Sequence, residues 1–175
     1  MKRFCFSRVK RELYPEIAAY RQEMLLSGSS FDGCGSLEKY EDIEKWDLNL
    51  QLFERKDTVP PGYSIGYQYL YLLDKDVVGM LNFRPEALSN PFLKMYGGHI
   101  GYSIRPKERN KGIGTSMLQD FLPICRNYGL TEILITCLKE NEASRRVILN
   151  NGGIFDADVY YPPAEEYLER YWIRL

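Results

Sequence analysis

The chain of 175 residues carries 23 Lys and Arg against 24 Asp and Glu, a net charge of −1, and is 45% hydrophobic. That length suits one domain, 1–175, which can bury most of the surface its unfolded chain exposes. The balanced charge excludes a general electrostatic pull toward nucleic acid or anionic membrane.

In chain order, Met1-Lys2-Arg3 is a basic start, but no apolar run of signal-peptide length follows and no stretch of about 18 apolar residues occurs anywhere. A cytoplasmic protein is expected. Residues Lys2 to Val9 read as a first strand. Pro15 to Leu26 reads as a helix, with apolar positions at Ile17, Ala18, Tyr20, Met24 and Leu25 and Pro15 in the first turn. A Gly/Ser-rich turn, Ser27 to Gly35, precedes a second helix predicted from Leu37 to Glu54. The segment Arg55 to Gly66, with Pro60-Pro61-Gly62, breaks regular structure before two strands, Tyr67 to Asp74 and Val77 to Phe83, joined at Lys75-Asp76.

Between Arg84 and Gly98 lies an insertion with two prolines and the apolar residues Leu88, Phe92, Leu93, Met95 and Tyr96. It reads either as a surface lid packed by its own side chains or as one wall of a substrate pocket. A strand from His99 to Ile104, a helix from Gly112 to about Asn127, a strand from Glu132 to Leu138, a helix stopped at Gly152 and two closing strands follow. The predicted order is β-α-α-β-β-β-α-β-α-β-β, an α/β fold with a mixed, mostly antiparallel sheet flanked by helices.

The segment Arg109-Asn110-Lys111-Gly112-Ile113-Gly114-Thr115 sits at a strand-to-helix junction. Its two glycines let the backbone approach a ligand and leave N–H groups unpaired at the positive end of a helix, a geometry that binds phosphate. A P-loop would need Gly-Lys-Ser/Thr, but Thr115 and Ser116 follow Gly114 with no lysine between. A Rossmann fingerprint would need a third glycine where Met117 stands. What remains is Arg/Gln-x-x-Gly-x-Gly after a strand ending in Arg105-Pro106. A second pattern, Asn141-Glu142-Ala143-Ser144 leading to Asn151-Gly152-Gly153, joins a helix start to a glycine stop.

Together these two patterns resemble the GNAT superfamily of N-acyltransferases, and the resemblance covers about Ser64 to Leu175. It implies a GNAT-like fold and acetyl-CoA as cosubstrate, with the pyrophosphate held by the amides of Asn110, Lys111, Gly112, Ile113, Gly114 and Thr115 and by the Arg109 side chain. It further implies that the pantetheine arm pairs with backbone groups of Ser103, Ile104 and Arg105 and meets Asn141 and Ser144. The expected acceptor is an amine-bearing small molecule or peptide. No nucleic acid or membrane partner is expected, and a homodimer is among the assemblies allowed. Many members carry a proton-donating tyrosine seven residues after the Asn; this chain has Ile148 there, with Tyr102 and Ser144 as nearby candidates.

His99 is the sole imidazole, and an unperturbed pKa near 6.5 suits a general base. A lone strand histidine is more often one satisfied by a neighbouring carbonyl, and Glu86 or Glu140 are rivals. The pair Arg145-Arg146 could meet CoA phosphates. Cys5, Cys34, Cys125 and Cys137 show no Cys-x-x-Cys pair, and one histidine cannot complete a zinc site, so no metal is expected and the thiols read as reduced. Two functions follow: N-acetyl transfer, or an acyl-CoA-binding sensor that has lost turnover.

Overall fold

A computed structural model describes residues 3–175, and the predicted order of strands and helices appears in full. The chain divides into two compact units. One holds the residues up to Phe83 together with Gly101–Ile113; the other holds Arg84–Ile100 together with Gly114–Leu175.

In the first unit, β1 (Phe4–Arg8), β2 (Tyr67–Leu73), β3 (Asp76–Phe83) and β4 (Ile100–Ile104) lie side by side in that order, antiparallel across the first two pairings. Helix α1 (Tyr14–Leu26) carries Pro15 in its first turn, where a missing N–H costs nothing, and buries Ile17, Tyr20 and Met24. Helix α2 (Ile43–Leu52) buries Ile43, Trp46 and Leu50. Both stripes pack with Leu70, Leu72, Val77 and Met80 of the sheet into one core, each large side chain contributing about 1.5–3 kcal/mol.

The second helix is shorter than the predicted span from Leu37 to Glu54. A single 3-10 turn, Leu37–Lys39, ends at Tyr40 in extended conformation, and α2 starts only after Asp42. The Asp42 carboxylate accepts the Glu44 and Lys45 amides at 2.9 and 3.4 Å, so a strong local N-cap overrides the apolar period running through Tyr40. The connector before it is seated on β4. A Cβ on Gly33 would lie 2.3 Å from the Gly101 carbonyl oxygen. Gln68 Nε2 donates to the Gly33 carbonyl at 2.7 Å, and the Trp46 indole donates to that of Gly35 at 2.9 Å.

In the second unit, β5 (Glu132–Leu138), β6 (Ile154–Tyr161) and β7 (Glu166–Arg174) form an antiparallel sheet in the order β5-β7-β6. The strands are thus distributed over two sheets. Helix α3 (Ile113–Asn127) buries Met117, Leu118, Phe121 and Cys125 along one face, and α4 (Glu142–Asn150) buries Ile148.

The insertion is not packed only on itself. It folds into a 3-10 turn, Ala87–Ser89, and a π-helical turn, Leu93–Gly97. Phe92 and Tyr96 cluster with Tyr161 of β6, Arg170 of β7 donates to the Lys94 carbonyl at 2.9 Å, and Thr136 of β5 donates to that of Tyr96 at 2.7 Å. Leu88, Phe92 and Met95 remain exposed.

Candidate functional site

After β4 the chain makes a 3-10 turn, Pro106–Glu108, and straightens at Arg109. It then takes left-handed conformations at Asn110 (φ 60) and Gly112 (φ 77) before α3 begins. Asn tolerates that region by local side-chain bonding, whereas the second position favours glycine. Alternating conformations of this kind make a concavity of successive N–H groups, here opening onto the positive end of a fifteen-residue helix. A Cβ on Gly112 would meet no atom within 4 Å, so there is open space beside the backbone at this position. Ile113 turns its side chain into the core and offers only its amide. Lys111 pairs with Glu108 at 3.0 Å, and the Thr115 carbonyl accepts Asn151 Nδ2 at 3.2 Å.

The Arg109 side chain is exposed but not loose. Its Nε donates to the Ile104 carbonyl at 3.0 Å, and one terminal nitrogen donates to Ser29 Oγ at 2.9 Å and approaches the Met24 sulfur at 3.5 Å. Sequence spacing missed Ser29 and Met24 as its partners, because about eighty residues separate them from it.

Along β4, Ser103 turns its hydroxyl inward, 2.8 Å from the Tyr20 hydroxyl and 3.0 Å from the Cys34 sulfur. Burial holds the Tyr20 hydroxyl well above its usual pKa and pushes the Cys34 thiol up to about 12. Any role of Ser103 toward a ligand therefore falls to its backbone. Arg105 departs from expectation more sharply. Its N–H donates to the Val78 carbonyl at 2.9 Å, which commits the amide to the sheet, and its carbonyl accepts the Glu108 amide at 2.8 Å. Its guanidinium, 4% exposed, is held by Glu16 at 3.0 Å, Glu23 at 2.8 Å and the Val77 carbonyl at 3.2 Å. This arginine ties α1 to the sheet.

In the second unit, His99 is corrected from candidate base to structural residue. It is 1% exposed, and its Nδ1 accepts the Leu134 amide at 2.9 Å while its own amide donates to the Leu134 carbonyl at 2.8 Å. The hydrogen bond assigns the neutral ring's proton to Nε2 and uses the lone pair a base would need. Burial lowers the imidazole pKa to about 4.

Asn141 is the N-cap of α4, its Oδ1 accepting the Ser144 amide at 3.0 Å, which leaves Nδ2 for a ligand. The Ser144 hydroxyl interacts with the Cys137 thiol, which burial pushes up to about 11. Arg145 is engaged with Glu169, Nε to Oε2 at 2.7 Å and a terminal nitrogen to Oε1 at 3.1 Å, and the Tyr171 hydroxyl donates to the same Oε2 at 2.7 Å. Arg146 pairs with Glu142 at 3.1 Å. These bonds make Arg145 a link between α4 and β7.

Residues 3–154 match the profile of the family described as acetyltransferase (GNAT) domain. Comparison with curated protein sequences finds no match. Among solved structures, the chain is similar to RimL, a ribosomal L7/L12 alpha-N-protein acetyltransferase in complex with coenzyme A. Identity is 17%, coverage 98% of this chain and 94% of that one, and the TM-score 0.72. It is similar to the microcin self-immunity acetyltransferase MccE in complex with acetyl-CoA and AMP, at 11% identity, 98% and 92% coverage and TM-score 0.72. The ribosomal-protein-S5-alanine acetyltransferase of Vibrio fischeri matches at 18% identity, 99% and 94% coverage and TM-score 0.67.

Proposed function

Since the chain belongs to the GNAT acetyltransferase domain family, we propose that it transfers the acetyl group of acetyl-CoA directly to a primary amine of a small molecule or peptide in the cytoplasm. The observation that carries this reading is the open loop from Asn110 to Thr115, with two left-handed residues leading into α3 beside a braced Arg109. Its amides and the guanidinium suit a diphosphate, and no step requires a metal.

Acetyl-CoA supplies the acetyl group as an activated thioester. The chain's part is to hold the diphosphate on Arg109 and the loop amides, to line the arm with β4 backbone at Ser103 and Ile104 and with Asn141 Nδ2, and to orient the carbonyl. Removing His99 as a base leaves the acceptor's proton to water, to a carboxylate or to the amine's own equilibrium. The insertion is read as one side of the acceptor pocket.

A second reading, an acyl-CoA-binding module without turnover, is favoured by one feature. Ile148 is fully buried at the position where many members carry a proton donor. The deciding measurement is thiol release from acetyl-CoA across a panel of amines, covering small primary amines and peptides with free amino termini. Acceleration by any member of the panel supports transfer. Tight binding with no acceleration across the panel supports the second reading.

A further inference from the structure

We propose that Ser29, just beyond the end of α1, is a positioning residue for the cofactor, its hydroxyl holding the Arg109 guanidinium in the orientation that meets the CoA diphosphate. The inference rests on the acetyl-CoA reading above.

An exposed arginine ordinarily samples many rotamers, and ordering it on a ligand reduces affinity. Arg109 is ordered beforehand from two sides. The Ile104 carbonyl takes Nε at 3.0 Å, and Ser29 Oγ takes one terminal nitrogen at 2.9 Å with the Met24 sulfur beside it. These contacts leave the other terminal nitrogen, Nη1, for an anionic ligand.

The Ser29 anchor is itself fixed by helix-end geometry. Gly28, at φ 61, donates to the Leu25 carbonyl at 3.1 Å, and the Ser29 amide donates to the Met24 carbonyl at 3.0 Å. That pair of bonds is a Schellman cap, which sets where the next side chain points. The remaining Ser29 contact is with the Ser27 hydroxyl at 2.6 Å, so Ser29 Oγ can accept from Arg109 while donating to Ser27. The end of α1 therefore acts as a rest for the arginine of the phosphate loop.

The test is calorimetric titration of Ser29→Ala and Ser29→Thr with acetyl-CoA and with acetyl-dephospho-CoA, which keeps the diphosphate and lacks the 3′-phosphate, alongside thermal unfolding. Loss of one exposed hydrogen bond from the guanidinium to a hydroxyl should weaken binding about three- to tenfold. We expect Ser29→Ala to lose the same factor for both ligands with an unchanged unfolding temperature, and Ser29→Thr to bind like the parent. In an Arg109→Ala background, Ser29→Ala should have no further effect. Unchanged affinity in Ser29→Ala, while Gly112→Val binds weakly, overturns the inference and leaves the loop assignment standing. A loss confined to acetyl-CoA, a loss that persists without Arg109, or a loss that merely follows instability also overturns it. Failure of the parent protein to bind either ligand overturns both readings.

Discussion

A neutral imidazole can stand in for a main-chain carbonyl only while its Nδ1 stays unprotonated, and that condition ties His99 to stability and not to acid-base chemistry. Its folded pKa of about 4 lies below the ordinary 6.5, so the folded state binds fewer protons than the unfolded one. The stabilisation is complete above pH 6.5 and is lost as pH falls toward 4, reaching about 2 kcal/mol of loss between pH 7 and pH 5. Denaturant unfolding at those two pH values should show that loss in the parent protein and a flatter response in His99→Ala. The variant should also be about 2–4 kcal/mol less stable at pH 7, since it strands the Leu134 amide and opens a cavity. A surviving pH–rate limb near 6.5 in His99→Ala would confirm that the limb belongs to another group; its disappearance would return the base to His99. The reason this role was not legible in the sequence is distance, for Leu134 lies thirty-five residues on. Arg105 was opaque for the same reason, because Glu16 and Glu23 lie more than eighty residues before it. The Asn141 cap was legible because its partner, Ser144, is three residues away.

At the scale of elements, the backbone of the loop before α3 was readable in part: Gly112 takes the left-handed conformation that a glycine there announces, whereas the other left-handed residue is Asn110 and Gly114 lies inside the helix. The break between Leu37 and Ile43 was less readable, because the apolar period runs across it and only the Asp42 cap marks the true start of α2. In Gly112→Val the new side chain would be strained by a φ of 77 and would project into the open space beside the loop. Strain of that kind costs about 1–3 kcal/mol of stability; acetyl-CoA affinity should fall more than about tenfold, because the new side chain stands where the diphosphate is proposed to approach, while the core remains folded. Calorimetry showing parent-like affinity in Gly112→Val would remove the loop from the cofactor site.

At the scale of the whole molecule, fold class and element order followed from periodicity and turn chemistry, whereas the acceptor did not, because no local pattern encodes the shape of a cavity. The structural neighbours include acetyltransferases named for ribosomal proteins and one named for microcin self-immunity, which is why the amine panel spans peptides and small molecules. The insertion offers a handle on the same question. Its three attachments to β5, β6 and β7 hold it in place; on the proposal that it lines the acceptor side, a chain shortened between Glu86 and Tyr96 should change which amines accelerate thiol release. Equal use of every amine before and after shortening would exclude it from the acceptor side.

Asn151 and Gly152, which close α4, form the dipeptide most prone to spontaneous deamidation, because the nitrogen of a following glycine reaches the side-chain amide without steric hindrance. Here both reacting groups are restrained. Asn151 Nδ2 is bound to the Val147 and Thr115 carbonyls at 2.9 and 3.2 Å, and the Gly152 nitrogen donates to Leu149 at 3.0 Å. Ring closure must wait for the helix end to fray, and the resulting aspartate would place a carboxylate against two carbonyl oxygens, one of them in the first turn of α3. Slow storage damage at this one site thus becomes a clock for the opening of the α4 terminus, and a ligand seated on the Thr115 amide should make that clock run slower.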